Sequence, residues 1–210
     1  MQALLLATGA LADLARPITW SDLRPELPPL ADPMSALDFE QRIELETILW
    51  VRQMTEADRE QRRETVSDAE RYERKFSQGG IVVDALLSDY VLWREEMERR
   101  QQQINTGLDG VMVTIDGYLL PIAFSEAGMT TFLLVPYVGA CIHVPPPPPN
   151  QLIVTELPEP LKIKTLFTPV RVTGRMSGEA SSQALNLSDG SADVPVGYRL
   201  DVVRYEVLTP

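Results

Sequence analysis

"LDGVMVTIDGYLLPI", residues 108–122, is where the chain changes its period. Val111, Val113 and Ile115 alternate with Met112, Thr114 and Asp116, the pattern of a half-buried strand. Gly117 then permits a sharp bend before Tyr118-Leu119-Leu120. Working downstream, further strands are predicted over 130–136, 152–157, 170–173 and 198–207. Residues 177–193, rich in Ser, Gly and Asp, read as a polar loop between the last two. Five short strands led by a bent one predict a small barrel over 107–210, of the oligonucleotide/oligosaccharide-binding (OB) type. The fold class is α+β, with a helical segment ahead of an OB-like antiparallel barrel.

Upstream of Gly107 the apolar residues recur at helical spacing. Asp32 and Pro33 make an N-cap and first-turn pair, and Leu37, Ile43, Ile48 and Val51 or Met54 form one apolar side. Thr55 and Asp58 read as a capping box, which ends one helix near Met54 and starts another. That second helix carries a thin stripe at Val66, Ala69, Tyr72 and Phe76, and Gly79-Gly80 ends it. A third runs over 81–103, with Val83, Leu86, Leu87, Tyr90, Trp93 and Met97 on one side. The helical segment therefore spans 34–106.

Residues 13–33 are proline-rich and read as an extended arm anchored by Trp20 and Leu23. Ahead of them, residues 1–12 read as the remnant of a signal peptide. Ala3 to Ala10 is apolar, and Ala10-Leu11-Ala12 has the small-x-small form of a cleavage site. The run is shorter than the roughly 20 residues that span a bilayer, and it lacks a positive n-region. A helix packed on the core is the competing reading. Export places the protein in the periplasm or outside the cell; without it, the protein is cytoplasmic.

Composition sets the class. With 210 residues and 44% hydrophobic residues the chain can bury a sizeable core. The net charge of −11 is spread along it: acidic residues outnumber basic ones 4 to 2 in 1–33, 16 to 11 in 34–103 and 10 to 6 in 104–210. No segment has the clustered Lys and Arg that neutralise phosphates, which argues against nucleic acid and anionic membranes as partners. Gly-rich phosphate loops and dinucleotide fingerprints are also absent from the sequence.

"GACIHVPPPPPNQ", residues 139–151, holds the only cysteine and the only histidine. A lone Cys141 forms no internal disulfide. On an extended strand Cys141 and His143 share one face, their Cβ atoms roughly 7 Å apart. A thiolate and an imidazole are zinc donors, but structural zinc takes four, so two would come from elsewhere. A Cys–His nucleophilic pair fits in residue types, without an orienting third group. The competing reading is a buried thiol and a hydrogen-bonded histidine at a rigid corner. Pro145, Pro146, Pro147, Pro148 and Pro149 predict a polyproline II rod of about 15 Å at 3.1 Å per residue. Tyr137, Gly139 and Asn150 bracket the corner as structural or partner-contacting residues. The rod is either a spacer or a docking strand for an aromatic groove.

These residues also carry a resemblance. "FLLVPYVGACIHVPPPPPNQLI" (132–153), "LDGVMVTIDGYLLPI" (108–122) and "ITWSDLRPE" (18–26) resemble a bacterial family of unknown function, number 3299 in the domain-of-unknown-function series. The resemblance implies an exported or lipid-anchored protein encoded near ABC-type transport systems, some of them linked to metal supply. No lipobox cysteine exists here, because Cys141 is internal. It implies no established activity; Cys141, His143 and Pro145 to Pro149 are its hallmark. The combined expectation is a non-enzymatic periplasmic accessory of a transport system, with Cys141 and His143 as ligands of a transition metal such as zinc. The partner would be a membrane transporter or another periplasmic protein, with no membrane insertion. The alternatives are an interaction module whose Cys-His-polyproline corner is purely structural, and a thiol-dependent enzyme.

Overall fold

A computed structural model describes residues 14–122, 128–139, 147–162, 166–187 and 190–209. The chain forms two compact units: the arm through Leu27 together with everything from Arg100 onwards, and Pro28–Arg99.

The first unit is built on eight described strands: β1 (Arg16–Pro17), β2 (Met112–Pro121), β3 (Met129–Val135), β4 (Ile153–Leu161), β5 (Thr168–Ser177), β6 (Ser181–Leu187), β7 (Gly190–Val196) and β8 (Tyr198–Val207). Five of them close into a ring in the order β2-β3-β4-β8-β5, with β5 returning to β2. β2 can close the ring because its two ends have different neighbours. Met112–Leu119 pairs with β5 along one edge, while Tyr118–Pro121 pairs with β3 along the other. Gly117 sits at the handover. A Cβ there would come within 2.9 Å of Trp20 and 3.0 Å of the Val135 carbonyl, so the close approach needs glycine.

Period-two alternation sorts the side chains. Val113, Ile115, Leu119, Phe132, Leu134, Ile153, Leu157, Val170, Val172, Leu200 and Val202 fill one continuous core. Each fully buried Leu, Ile or Phe contributes roughly 1.5–3 kcal/mol. The residues between them do not all face water. Leu120, Leu133, Val135, Leu152 and Val154 form a second buried cluster on the opposite face, against Val194 and Val196 of β7. That explains the unbroken apolar run at Phe132–Val135, since a strand buried on both faces loses its polar alternation.

Two expectations for the barrel are corrected. It is not wholly antiparallel: Ile153–Glu156 runs parallel to Tyr198–Asp201. Such a pair needs a long crossover, which β5 and the segment after it supply. Residues 177–193 are not a loop throughout, because β6 and β7 form an antiparallel hairpin with Leu187 opposite Gly190. Alternating Val194 and Val196, both buried, hold it on the barrel. Short polar residues had masked the strands.

The second unit contains helices α1 (Phe39–Gln53), α2 (Glu56–Gln61) and α3 (Arg63–Gln78), and most of α4 (Val83–Gln102). Leu45, Ile48 and Val51 pack with Ala69, Phe76, Val83, Leu87 and Tyr90. Buried Glu44 receives two hydrogen bonds from Lys75, at 2.7 and 2.9 Å, tying α1 to α3. The first helix begins later than expected. Asp32 caps a turn, accepting the Met34 N–H and the Arg42 guanidinium. Asp38 is the true N-cap, in a reciprocal box with Gln41. The second expected helix is two, broken at Arg62 by a non-helical backbone (φ −118°, ψ 42°), with Thr55 capping the first. Ile43, expected in the core, is half exposed. Among the described residues no helix is long and apolar enough to cross a membrane.

Candidate functional site

The Cys-His-proline segment joins β3 to β4. Tyr137 and Val138 leave β3 exposed, and Gly139 has φ +88°, the left-handed region that favours glycine. Cys141, His143, Pro145 and Pro146 lie outside the described residues. The chain is described again from Pro147, which is buried.

The proline rod does not extend to its fifth residue. Pro148 has polyproline geometry (φ −62°, ψ 157°), but Pro149 opens a 3-10 turn, Pro149–Gln151. The fixed φ of proline suits the first position of a turn, where a missing N–H loses nothing. The Gln151 N–H then bonds the Pro148 carbonyl at 2.8 Å, and the Leu152 N–H bonds that of Pro149 at 3.2 Å.

This turn drives two amide side chains into the protein. Asn150, only 2% exposed, donates from Nδ2 to the carbonyls of Arg100 (3.0 Å) and Gln103 (2.9 Å) at the end of α4. Helix C-terminal carbonyls have no intrahelical donor, so a buried end needs such a partner. Buried Gln151 donates from Nε2 to the carbonyl of Trp20 at 2.9 Å and to that of Asn150 at 2.8 Å. One residue pair thus fastens the foot of the proline run to the arm and to the chain leaving α4.

The far side of the knot is built by Gly197 and Tyr198. The Gly197 N–H donates to Pro149 O at 2.8 Å. A Cβ on Gly197 would stand 2.9 Å from that oxygen and from Ile104. The buried Tyr198 hydroxyl donates to Leu23 O at 2.6 Å and accepts the Asn105 N–H. Burial pushes the Tyr198 phenol up, so it stays protonated and able to donate at neutral pH. Asn105 Nδ2 adds a bond to Asp22 O at 2.8 Å. Asn150 Oδ1 is buried with no partner among the described residues.

The arm is held to the barrel by the same economy of backbone groups. β1 lies parallel to β2, with Ile18 N–H on Thr114 O at 2.9 Å, and the Trp20 indole N–H reaches Asp116 O at 2.8 Å. These two donors seal an edge that β3 leaves open. Beside them, Arg171 grips Asp116 through two bonds of 2.7 and 2.8 Å, and holds its carboxyl below the usual carboxylate range. A shallow hollow of about 490 Å³ lies here, lined by Pro17–Trp20, Thr114–Asp116 and Arg171.

Of the sequence-predicted residues, Pro149 and Asn150 belong to the knot, whereas Tyr137 and Gly139 stand outside it. Gln151, Asn105, Gly197 and Tyr198 were not singled out. Two amides directly after a proline run were the available signal for Gln151. Among the described residues no group of three or more His, Cys, Asp or Glu could hold a metal. The knot is built from amide, phenol and backbone groups that fasten one another by hydrogen bonds.

No curated protein matches the chain. A crystal structure of a DUF3299 family protein from Pseudomonas aeruginosa is 24% identical, covering 93% of this chain and 97% of that one, with a TM-score of 0.48. The family profile described as "Protein of unknown function (DUF3299)" matches residues 20–207, and the chain belongs to that family.

Proposed function

We propose that the protein is an exported, non-enzymatic accessory of a membrane transport system that works by presenting the 137–150 segment to a partner. The observation that carries this reading is the fastened foot. Asn150 and Gln151 use buried amide donors to fix where the segment ends, and this kind of support lets a short loop hold donors in place. On this reading Cys141 and His143 offer a thiolate and an imidazole to a transition metal such as zinc. The donor types fit zinc, and the partner supplies the other ligands.

The barrel is of OB type on the same reading. Counting its five ring strands along the chain, the order is 1-2-3-5-4, with the third and fifth parallel. The strand 2–3 face that such barrels use for oligonucleotides is covered here by Val194 and Val196. That supports moving recognition to the proline segment and away from nucleic acid, in keeping with the net charge of −11.

Zinc titration against a chelating dye tests the proposal, using the full chain purified without a histidine tag. Cys141→Ser and His143→Ala are each expected to weaken binding at least tenfold. Native affinity no tighter than that of the double variant removes the metal from the reading. A Cys141→Ser chain that loses stability without any zinc effect transfers the corner to a purely structural role.

A further inference from the structure

Helix α1 has two apolar faces and needs only one for its own core. Leu45, Ile48 and Val51 point into the helical unit. On the opposite side Phe39, Ile43 and Trp50 are 79%, 50% and 46% exposed. At 100° per residue these three fall within about 40° of one another, along roughly 16 Å of helix. Solvent-facing aromatics in such a line mark an interaction surface. The fourth position of the stripe is Glu46, whose carboxylate accepts the Tyr90 hydroxyl at 2.7 Å. Arg62 lies over the Trp50 ring, 5.2 Å from its centroid.

We propose that this stripe docks onto its own counterpart in a second copy of the chain, the two α1 helices antiparallel about a two-fold axis. The spacing is what selects a copy of itself. Phe39 and Trp50 are equally far from the midpoint of residues 44 and 45. An antiparallel pairing therefore sets each Phe39 against the partner's Trp50. Arg42 and Glu46 lie on one flank, on either side of the same midpoint and within one residue of equal offset. The pairing that stacks the aromatics therefore brings each Arg42, whose guanidinium also holds Asp32, beside the partner's Glu46, a cation against an anion, twice. A closed two-fold contact of this kind is the commonest protein association. Covering the exposed parts of the three side chains removes roughly 350 Å² of apolar surface per copy. The pair would bury about 700 Å² before its polar rim, short of the roughly 1,000 Å² that a stable interface clears, so the contact is a transient one. A weak, reversible dimer is therefore expected.

Sedimentation velocity on the full chain, from low to several hundred micromolar, tests this directly. The expected result is a reversible monomer–dimer equilibrium that Phe39→Asp and Trp50→Ala each weaken by about tenfold or more. Both sites are exposed, so helical content by circular dichroism should be unchanged. Arg42→Glu and Glu46→Arg each place two like charges across the axis and should dissociate the dimer. An equimolar mixture of these two variants should dimerise again, because the heterodimer restores both opposite-charge contacts. A monomer throughout, a dimer indifferent to the aromatic substitutions, or a mixture that stays monomeric overturns the proposal.

Discussion

Replacing Asn150 with aspartate should turn the foot of the proline run into a pH-dependent weak point. The Asn150 amide gives two hydrogen bonds, to Gln103 O and to Arg100 O, the second of which also accepts the Gln103 N–H. Asn150→Ala removes both donors inside the protein and is expected to cost about 2 kcal/mol. Asn150→Asp keeps the shape but aims an acceptor at two acceptors. Burial and the facing carbonyls both disfavour the charged form, so the folded-state pKa of the introduced carboxyl rises above its unfolded value near 3.9. The folded state then holds more protons than the unfolded state between those two values, and stability falls as pH rises through the window. A rise of about two units adds roughly 2.7 kcal/mol at pH 7, for a total near 4–5 kcal/mol. Below the raised pKa the protonated carboxyl recovers one donor, and the loss falls back toward the alanine value. Urea unfolding midpoints for native, Asn150→Ala and Asn150→Asp chains at about pH 7 and pH 5 measure this. An Asn150→Ala midpoint equal to the native one would refute the fastening role. So would an aspartate variant that tracks the alanine variant at both pH values.

Three further outcomes are expected. A methyl group on Gly174 would overlap the Asp201 carbonyl where the β5–β8 register shifts, so Gly174→Ala should lower stability by about 1–3 kcal/mol in urea unfolding. Tyr198→Phe removes the hydroxyl shared by Leu23 O and the Asn105 N–H, costing about 1–2 kcal/mol. Because that hydroxyl holds the arm, chymotrypsin should also cut faster after Trp20 and Leu23 in this variant. The Arg171 guanidinium depresses the folded-state pKa of Asp116, so this pair stabilises the fold above the ordinary aspartate value and is lost as pH falls through the lowered one. Acid unfolding followed by circular dichroism should therefore begin at higher pH in Arg171→Leu, and an unchanged acid limb would count against the pair.

The sequence revealed the barrel wherever side chains alternated between an apolar interior and water. Residues 111–115 and 198–207 are legible for that reason, and the second matches β8 end to end. The hairpin of β6 and β7 was not legible, because Ser181, Ser182, Asn186, Ser191 and Asp193 set short polar residues among its apolar ones. Helix starts failed for a different reason. Asp32-Pro33 and Asp38 are both chemically competent caps, and only the packing of Leu45, Ile48 and Val51 decides between them. At the candidate site, proline chemistry predicted a stiff corner, and Pro148 has the expected backbone. The knot itself joins residues far apart in the chain: Gln151 to Trp20, Tyr198 to Leu23. Contacts of that range leave no periodic trace, so neither Asn105 nor Tyr198 could be picked out from its neighbours.

The hydrogen bond between Leu23 O and Asn105 N–H, 3.2 Å long, closes a circuit. From the barrel's side, residues 28–99 are a detour that leaves and returns at nearly one point. The helical unit is thus an insertion in a single continuous barrel fold, and the entropic toll of its length grows only with the logarithm of that length. Such a point of departure is permissive ground for lineage-scale change. An insert joined in this way can be lengthened, shortened or exchanged at little entropic cost to the barrel. An engineer could do the same with a short flexible bridge between Leu27 and Arg100.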